Sequence, residues 1–169
     1  RQITHGRPST ARRLRLLKAE LHLLTALCDL GGVWSLDQVT GALARFADAA
    51  VQAALAIAVR EEIARGRRRP ADGDDRGPAP GLFCIAMGKH GGMELNYSSD
   101  IDVSVFYDPE ALQVAGEADP DAVAVRLTQR VASLMQERTA DGYVFRFDLR
   151  LRPDPSVTPP AVPIEGALG

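Results

Sequence analysis

Residues 82–107 read LFCIAMGKHGGMELNYSSDIDVSVFY, and the order of events along this stretch decides the fold. Leu82 to Met87 is a short continuous apolar run, the pattern of a strand buried on both faces. Gly88-Lys89-His90-Gly91-Gly92 follows at once. Glycines there let the backbone turn tightly and bring bare N–H groups close to an anion. The stretch is neither a Walker loop nor a dinucleotide fingerprint, and a glycine pair after a strand is most often a plain turn. Asp100-Ile101-Asp102 then opens a second strand, 101–107, rich in β-branched and aromatic residues. Side chains alternate across a strand, so Asp100 and Asp102 share a face while Ile101 and Val103 point the other way. Two like charges so placed repel, and a hard cation such as Mg²⁺ between them relieves the repulsion. An aspartate at a strand entry also has an ordinary use, capping a turn.

Working outward toward the C-terminus, Asp119-Pro120 marks the start of a helix expected to run to about Arg138. Val123, Leu127, Val131, Leu134 and Met135 form its apolar side. Residues 143–151 alternate strictly and predict a third strand. Phe145, Phe147, Leu149 and Leu151 fall on one face, and Arg146, Asp148, Arg150 and Arg152 on the other. Asp148 is a candidate third carboxylate for a two-metal site. In isolation, salt-bridging to its own arginines on an exposed face is the favoured explanation.

Toward the N-terminus the period changes from two to nearly four. Leu14, Leu17, Leu21, Leu24 and Leu30 predict one helical stripe, ended by Gly31-Gly32. Ser35-Leu36-Asp37-Gln38 has the form of a capping box, and the apolar run from Val39 through Ile57 extends that helix to about Arg65. Breakers and mixed charge from Gly66 to Gly81 read as an exposed linker. The expected organisation is a helical arm, 1–66, a linker, 67–80, and an α+β domain, 81–169, with a small mixed sheet flanked by helices.

Composition permits a packed core: 46% of the 169 residues are apolar and 25% charged. The formal charge of −2 offers no general attraction to nucleic acid or to an anionic membrane, and no apolar stretch approaches the roughly 20 residues needed to span a bilayer. Cys28 and Cys84 lie far apart in apolar surroundings, as buried free thiols of a reducing compartment do, which favours a cytoplasmic location.

A glycine turn, a DxD on a strand, a helix and a lone Asp on a later strand resemble the ordered signature of the DNA polymerase β-like nucleotidyltransferase superfamily. The wording is more specific still. Residues 87–102, MGKHGGMELNYSSDID, and residues 142–153, GYVFRFDLRLRP, resemble two segments of the glutamine synthetase adenylyltransferase family. Leu27-Cys28-Asp29-Leu30 and Leu36-Asp37-Gln38-Val39-Thr40 resemble the region preceding them. Asn96 to Asp102 is closer to the N-terminal, adenylyl-removing half of such proteins than to the attaching half. His90 and Met93 depart from the family, which usually has Leu and often a basic residue there; His90 is expected to be a partly exposed turn residue.

The resemblance implies a nucleotidyltransferase fold and roles for named residues. Asp100, Asp102 and Asp148 match the metal-binding, catalytic carboxylates, with two Mg²⁺ ions expected. Gly91 and Gly92 match the phosphate-facing turn, Ser98 and Ser99 lie beside the metal site, and Lys89, Arg150 and Arg152 are candidate phosphate contacts. It implies glutamine synthetase as protein substrate, ATP, ADP and inorganic phosphate as small partners, and a nitrogen-signalling regulatory protein. The implied reaction is phosphorolytic removal of AMP from an adenylyl-tyrosine, yielding ADP. The alternatives are the forward, ATP-dependent attachment and a non-catalytic docking module.

Overall fold

The computed structural model describes residues 9–70, 79–149 and 159–167. The elements are α1 (Thr10–Leu30), α2 (Leu36–Ala64), β1 (Leu82–Met87), α3 (Gly88–Gly91), β2 (Ile101–Tyr107), α4 (Pro120–Gln136), β3 (Phe147–Asp148) and β4 (Val162–Pro163), with a short 3₁₀ turn at Ile164–Ala167. The result is an α+β fold built on a small mixed sheet, as the sequence predicts. Strand β2 is central: β1 pairs with it antiparallel, and β3 and β4 pair parallel to its first and last residues.

Local chemistry accounts for the helix ends. Ser35 Oγ accepts from the Gln38 amide at 3.3 Å while Gln38 Oε1 accepts from the Ser35 amide at 2.8 Å, so the capping box is formed in both directions. Asp119 accepts from the amides of Asp121 and Ala122, with Pro120 in the first turn. Helix α4 stops at Gln136, two residues short of the expected end, and the Glu137 amide closes on the Ser133 carbonyl.

One face of the sheet makes the core. Ile101, Val103, Val105 and Tyr107 of β2 are buried against helix α2, whose Ala44, Ala47, Ala50, Ala54 and Ala58 let neighbours approach closely, and against α4. By length and composition α2 could cross a bilayer, contrary to the expectation of no such stretch. Half of that stretch is buried inside this fold. Two glutamates lock α2 to α4: Glu62, 3% exposed, accepts from Arg65 and Arg126, and Glu61 from both nitrogens of the Arg130 fork.

Several expectations need correction. β1 is an edge strand, with Phe83, Cys84, Ile85 and Met87 exposed, because among the described residues only β2 pairs with it. Cys84 is therefore exposed and Cys28 half-buried, so neither is a buried thiol. Among the described residues the third strand is Phe147–Asp148, and it starts late because the amides of Val144 and Phe145 are both taken by the Met135 carbonyl at the end of α4; residues 150 and 151 lie outside the described residues. Alternation survives: Phe145 and Phe147 are buried, Arg146 exposed and Asp148 half-exposed. Arg68, in the stretch read as exposed linker, is 2% exposed and donates to the carbonyls of Leu112 and Pro80. Residues 71–78 of that stretch lie outside the described residues.

Helix α1 departs most. Of the predicted stripe only Leu14 is buried; Leu17, Leu24 and Leu30 face outward with Leu16, Leu23 and Leu27. Its docked side is polar instead, carrying Arg15, Lys18, His22 and Thr25. Arg15 donates to the side chain and the carbonyl of Glu137, just past the end of α4.

Candidate active site

Two of the three predicted carboxylates, Asp102 and Asp148, meet on the open face of the sheet, opposite the core. Parallel register sets Asp102 directly beside Asp148 and Ile101 beside Phe147. Paired residues of a parallel ladder share a face, so the two carboxylates stand side by side while Ile101 and Phe147 go into the core. One step earlier, Asp100 lies beside Arg146, whose carbonyl accepts from the Ile101 amide at 3.0 Å. The guanidinium of Arg146 binds the Asp100 carboxylate and donates to the Ser98 carbonyl at 3.0 Å. This pairing raises the Arg146 pKa, chiefly through the hydrogen bond to Asp100. A cleft of about 600 Å³ opens here, lined by Asp100, Arg146 and Asp148 with Gln129 and Gln136 of α4.

Gly88 supports Asp102 from below. Its φ is +54°, and a β-carbon there would stand 2.7 Å from Asp102 Oδ2. Gly91 and Gly92 also serve the packing of the turn. A β-carbon on Gly91 would lie 2.4 Å from the Ala86 carbonyl oxygen, so this glycine lets α3 close onto β1. The amides of Gly92, Met93 and Glu94 are taken by the carbonyls of Gly88, His90 and Lys89. The Gly92 N–H is thus not offered to an anion. Lys89 is exposed on the same turn. Asn96 knits the next loop, accepting from Ser99 Oγ at 2.7 Å and from the Ser98 amide at 3.2 Å.

His90 is not the partly exposed turn residue expected. It is 3% exposed, and its Nε2 lies 2.8 Å from Asp48 Oδ1 on α2, pinning the glycine turn to the helical arm. Arg150 and Arg152 lie outside the described residues.

The donor chemistry fits a hard divalent cation: three carboxylates on one face, two of them adjacent. Full convergence is not present, because Asp100 is turned to Arg146. Among the described residues no three acidic, imidazole or thiolate groups are close enough to hold one ion together. Reasoning from sequence missed Arg146 and Gly88. Alternation gave a signal for Arg146, which shares its face with Asp148; nothing in the sequence distinguished Gly88 from its neighbouring glycines.

Residues 3–168 match the family model of glutamate-ammonia ligase adenylyltransferase. The chain is 66% identical over 160 residues to a protein of Caulobacter vibrioides, covering 94% of this chain and 16% of that protein. It is 57% identical over 157 residues to one from Bradyrhizobium sp. strain BTAi1 and 51% over 155 to one from Rhodopseudomonas palustris strain CGA009, covering 93% and 92% of this chain and 16% of each. All three are named bifunctional glutamine synthetase adenylyltransferase/adenylyl-removing enzyme. The chain spans about one sixth of the length of these relatives, and the match runs through the glycine turn and all three aspartates. It belongs to the glutamate-ammonia ligase adenylyltransferase family.

Proposed function

We propose that this segment carries the nucleotidyl-transfer site that removes AMP from adenylylated glutamine synthetase by phosphorolysis, yielding ADP. The observation behind it is the register of β2 on β3, which sets Asp102 against Asp148. Directly opposed like charges are unfavourable in a sheet, and a shared cation offsets their repulsion. Asp102, Asp148 and, once released from Arg146, Asp100 would hold Mg²⁺. The ion would neutralise charge developing around the α-phosphorus. Gly88 keeps Asp102 in place, and Arg146 holds the loop carbonyl of Ser98 near the cleft. The reaction exchanges one oxygen for another at phosphorus, orthophosphate entering and the tyrosine oxygen leaving. Positioning and fixed charge therefore carry the catalysis, and no serine, cysteine or histidine nucleophile is needed.

The forward reaction, ATP-dependent attachment of AMP, is the second reading. Its support is that the relatives' printed name couples both activities. Partition is tested with the full chain by following ADP formed from adenylylated glutamine synthetase and orthophosphate, and separately AMP incorporation from ATP. Asp102→Asn should lower phosphorolysis about a hundredfold or more, the scale of several kcal/mol of lost charge stabilisation. Chelation by EDTA should abolish turnover and Mg²⁺ restore it. Undiminished ADP formation together with undiminished AMP incorporation by Asp102→Asn would refute the site. A loss confined to AMP incorporation would assign the segment to attachment.

A further inference from the structure

We propose that Lys18 and His22 of α1, with Arg146, form a seat for a phosphate group beside the Asp100–Arg146 pair. The docked face of α1 supplies the first argument. A helix that packs only for stability turns apolar residues inward. This one turns Arg15, Lys18, His22 and Thr25 inward beside Leu14 and leaves six of its eight leucines exposed. Arg15 has an evident structural use in Glu137. Lys18 has none of that kind.

The Lys18 ammonium is half-buried, donates to the Tyr143 carbonyl at 3.4 Å, and lies 4.2 Å from the Tyr143 ring centre and 5.3 Å from that of Phe145. All of these partners are neutral. Asp100 is engaged by Arg146, Glu137 by Arg15 and Asp141 by Arg12, and Asp29 accepts from the Tyr97 hydroxyl at 3.4 Å. Arg138 adds a further positive charge, 5.5 Å from the Tyr143 ring centre. His22 stands edge-on to Tyr97 at 5.7 Å, and Tyr97 precedes the Ser98 that Arg146 grips. His22 Nε2 is buried with no hydrogen-bond partner among the described residues.

Burial first, and then the charge of Arg146, depress the Lys18 pKa; burial and then Lys18 depress that of His22. Cations gathered this way disfavour one another, and a dianion among them reverses the sign of the interaction. A phosphate suits the place because it accepts hydrogen bonds on several oxygens at once. The seat rests on the nucleotidyl-transfer reading only for the source of that phosphate, orthophosphate as attacking group or the phosphates of a nucleotide.

The test is calorimetric titration of the full chain with orthophosphate, ADP and ATP in turn, comparing wild type with Lys18→Met and Lys18→Gln. Each variant should bind at least one of the three about tenfold more weakly or worse, as loss of one charge-assisted hydrogen bond entails. Loss confined to orthophosphate assigns the seat to the attacking group, and loss confined to ADP and ATP to the nucleotide. Unchanged affinity for all three in a folded variant overturns the proposal and leaves Lys18 as a staple on Tyr143 and Phe145. Absence of binding by wild type overturns it too. Asp102→Asn activity, measured in parallel, decides the functional reading separately, so a seat can survive its failure.

Discussion

At Gly88 two demands coincide: a φ of +54° and an Asp102 oxygen where a β-carbon would go. Left-handed backbone costs a residue with a side chain about 1–2 kcal/mol. The overlap must be relieved by moving the carboxylate. Gly88→Ala should therefore lose about 1–2 kcal/mol in urea denaturation. Its phosphorolysis should fall further than that instability accounts for under conditions where it remains folded. Wild-type activity in this variant would show that Asp102 need not sit where it does. Single residues were unevenly legible. Asp100 and Asp102 stood out because carboxylates two apart on a strand share a face, whereas Asp148 stood out only through the family resemblance. His90 was misread, since its partner Asp48 is 42 positions away and no local pattern links them. Lys18 was invisible for a similar reason, its neighbours being Tyr143 and Phe145.

Elements with strong end signals were read well: α2 from its capping box, α4 from Asp119-Pro120, β2 from its β-branched alternation. Elements whose extent depends on competition for backbone groups were not. Residues 143–151 alternate like a long strand, yet the Met135 carbonyl captures two of the amides such a strand would use. Eight of the 21 residues of α1 are leucines, spread around the helix, and periodicity alone does not say which of them dock. The α2–α4 contact makes its own prediction. Glu61 is held below its ordinary pKa chiefly by its hydrogen bonds from Arg130. A depressed carboxylate contributes stability above its unfolded pKa, near 4.5, and loses it as pH falls through the lower folded value. Wild type should thus shed stability below about pH 4.5 faster than Glu61→Gln does. Parallel acid limbs in the two melting profiles would rule out this contribution.

On the scale of the molecule, arm and sheet share one hydrophobic core, running from Leu14 of α1 through the alanines of α2 to β2 and α4. The arm also braces the two segments that carry the site, through His90 on Asp48 and through Lys18 on Tyr143. The α+β class was legible because strand and helix periods differ. The shared core was not, because linker composition reports breakers and charge, not what packs across them. One feature remains without use inside the fold: the outward leucines of α1, at 16, 17, 23, 24, 27 and 30, continued by Val33 and Leu36. Apolar surface of this extent is uncommon on a free-standing monomer. A dye such as anilinonaphthalene sulfonate should light up on the native segment without any unfolding, and Leu23→Lys with Leu27→Lys should quench that glow while far-ultraviolet dichroism stays put. A dark native protein would mean that the ridge is already covered. For anyone handling this segment, the practical meaning is that its behaviour on columns and on storage will be governed by a greasy flank remote from the chemistry.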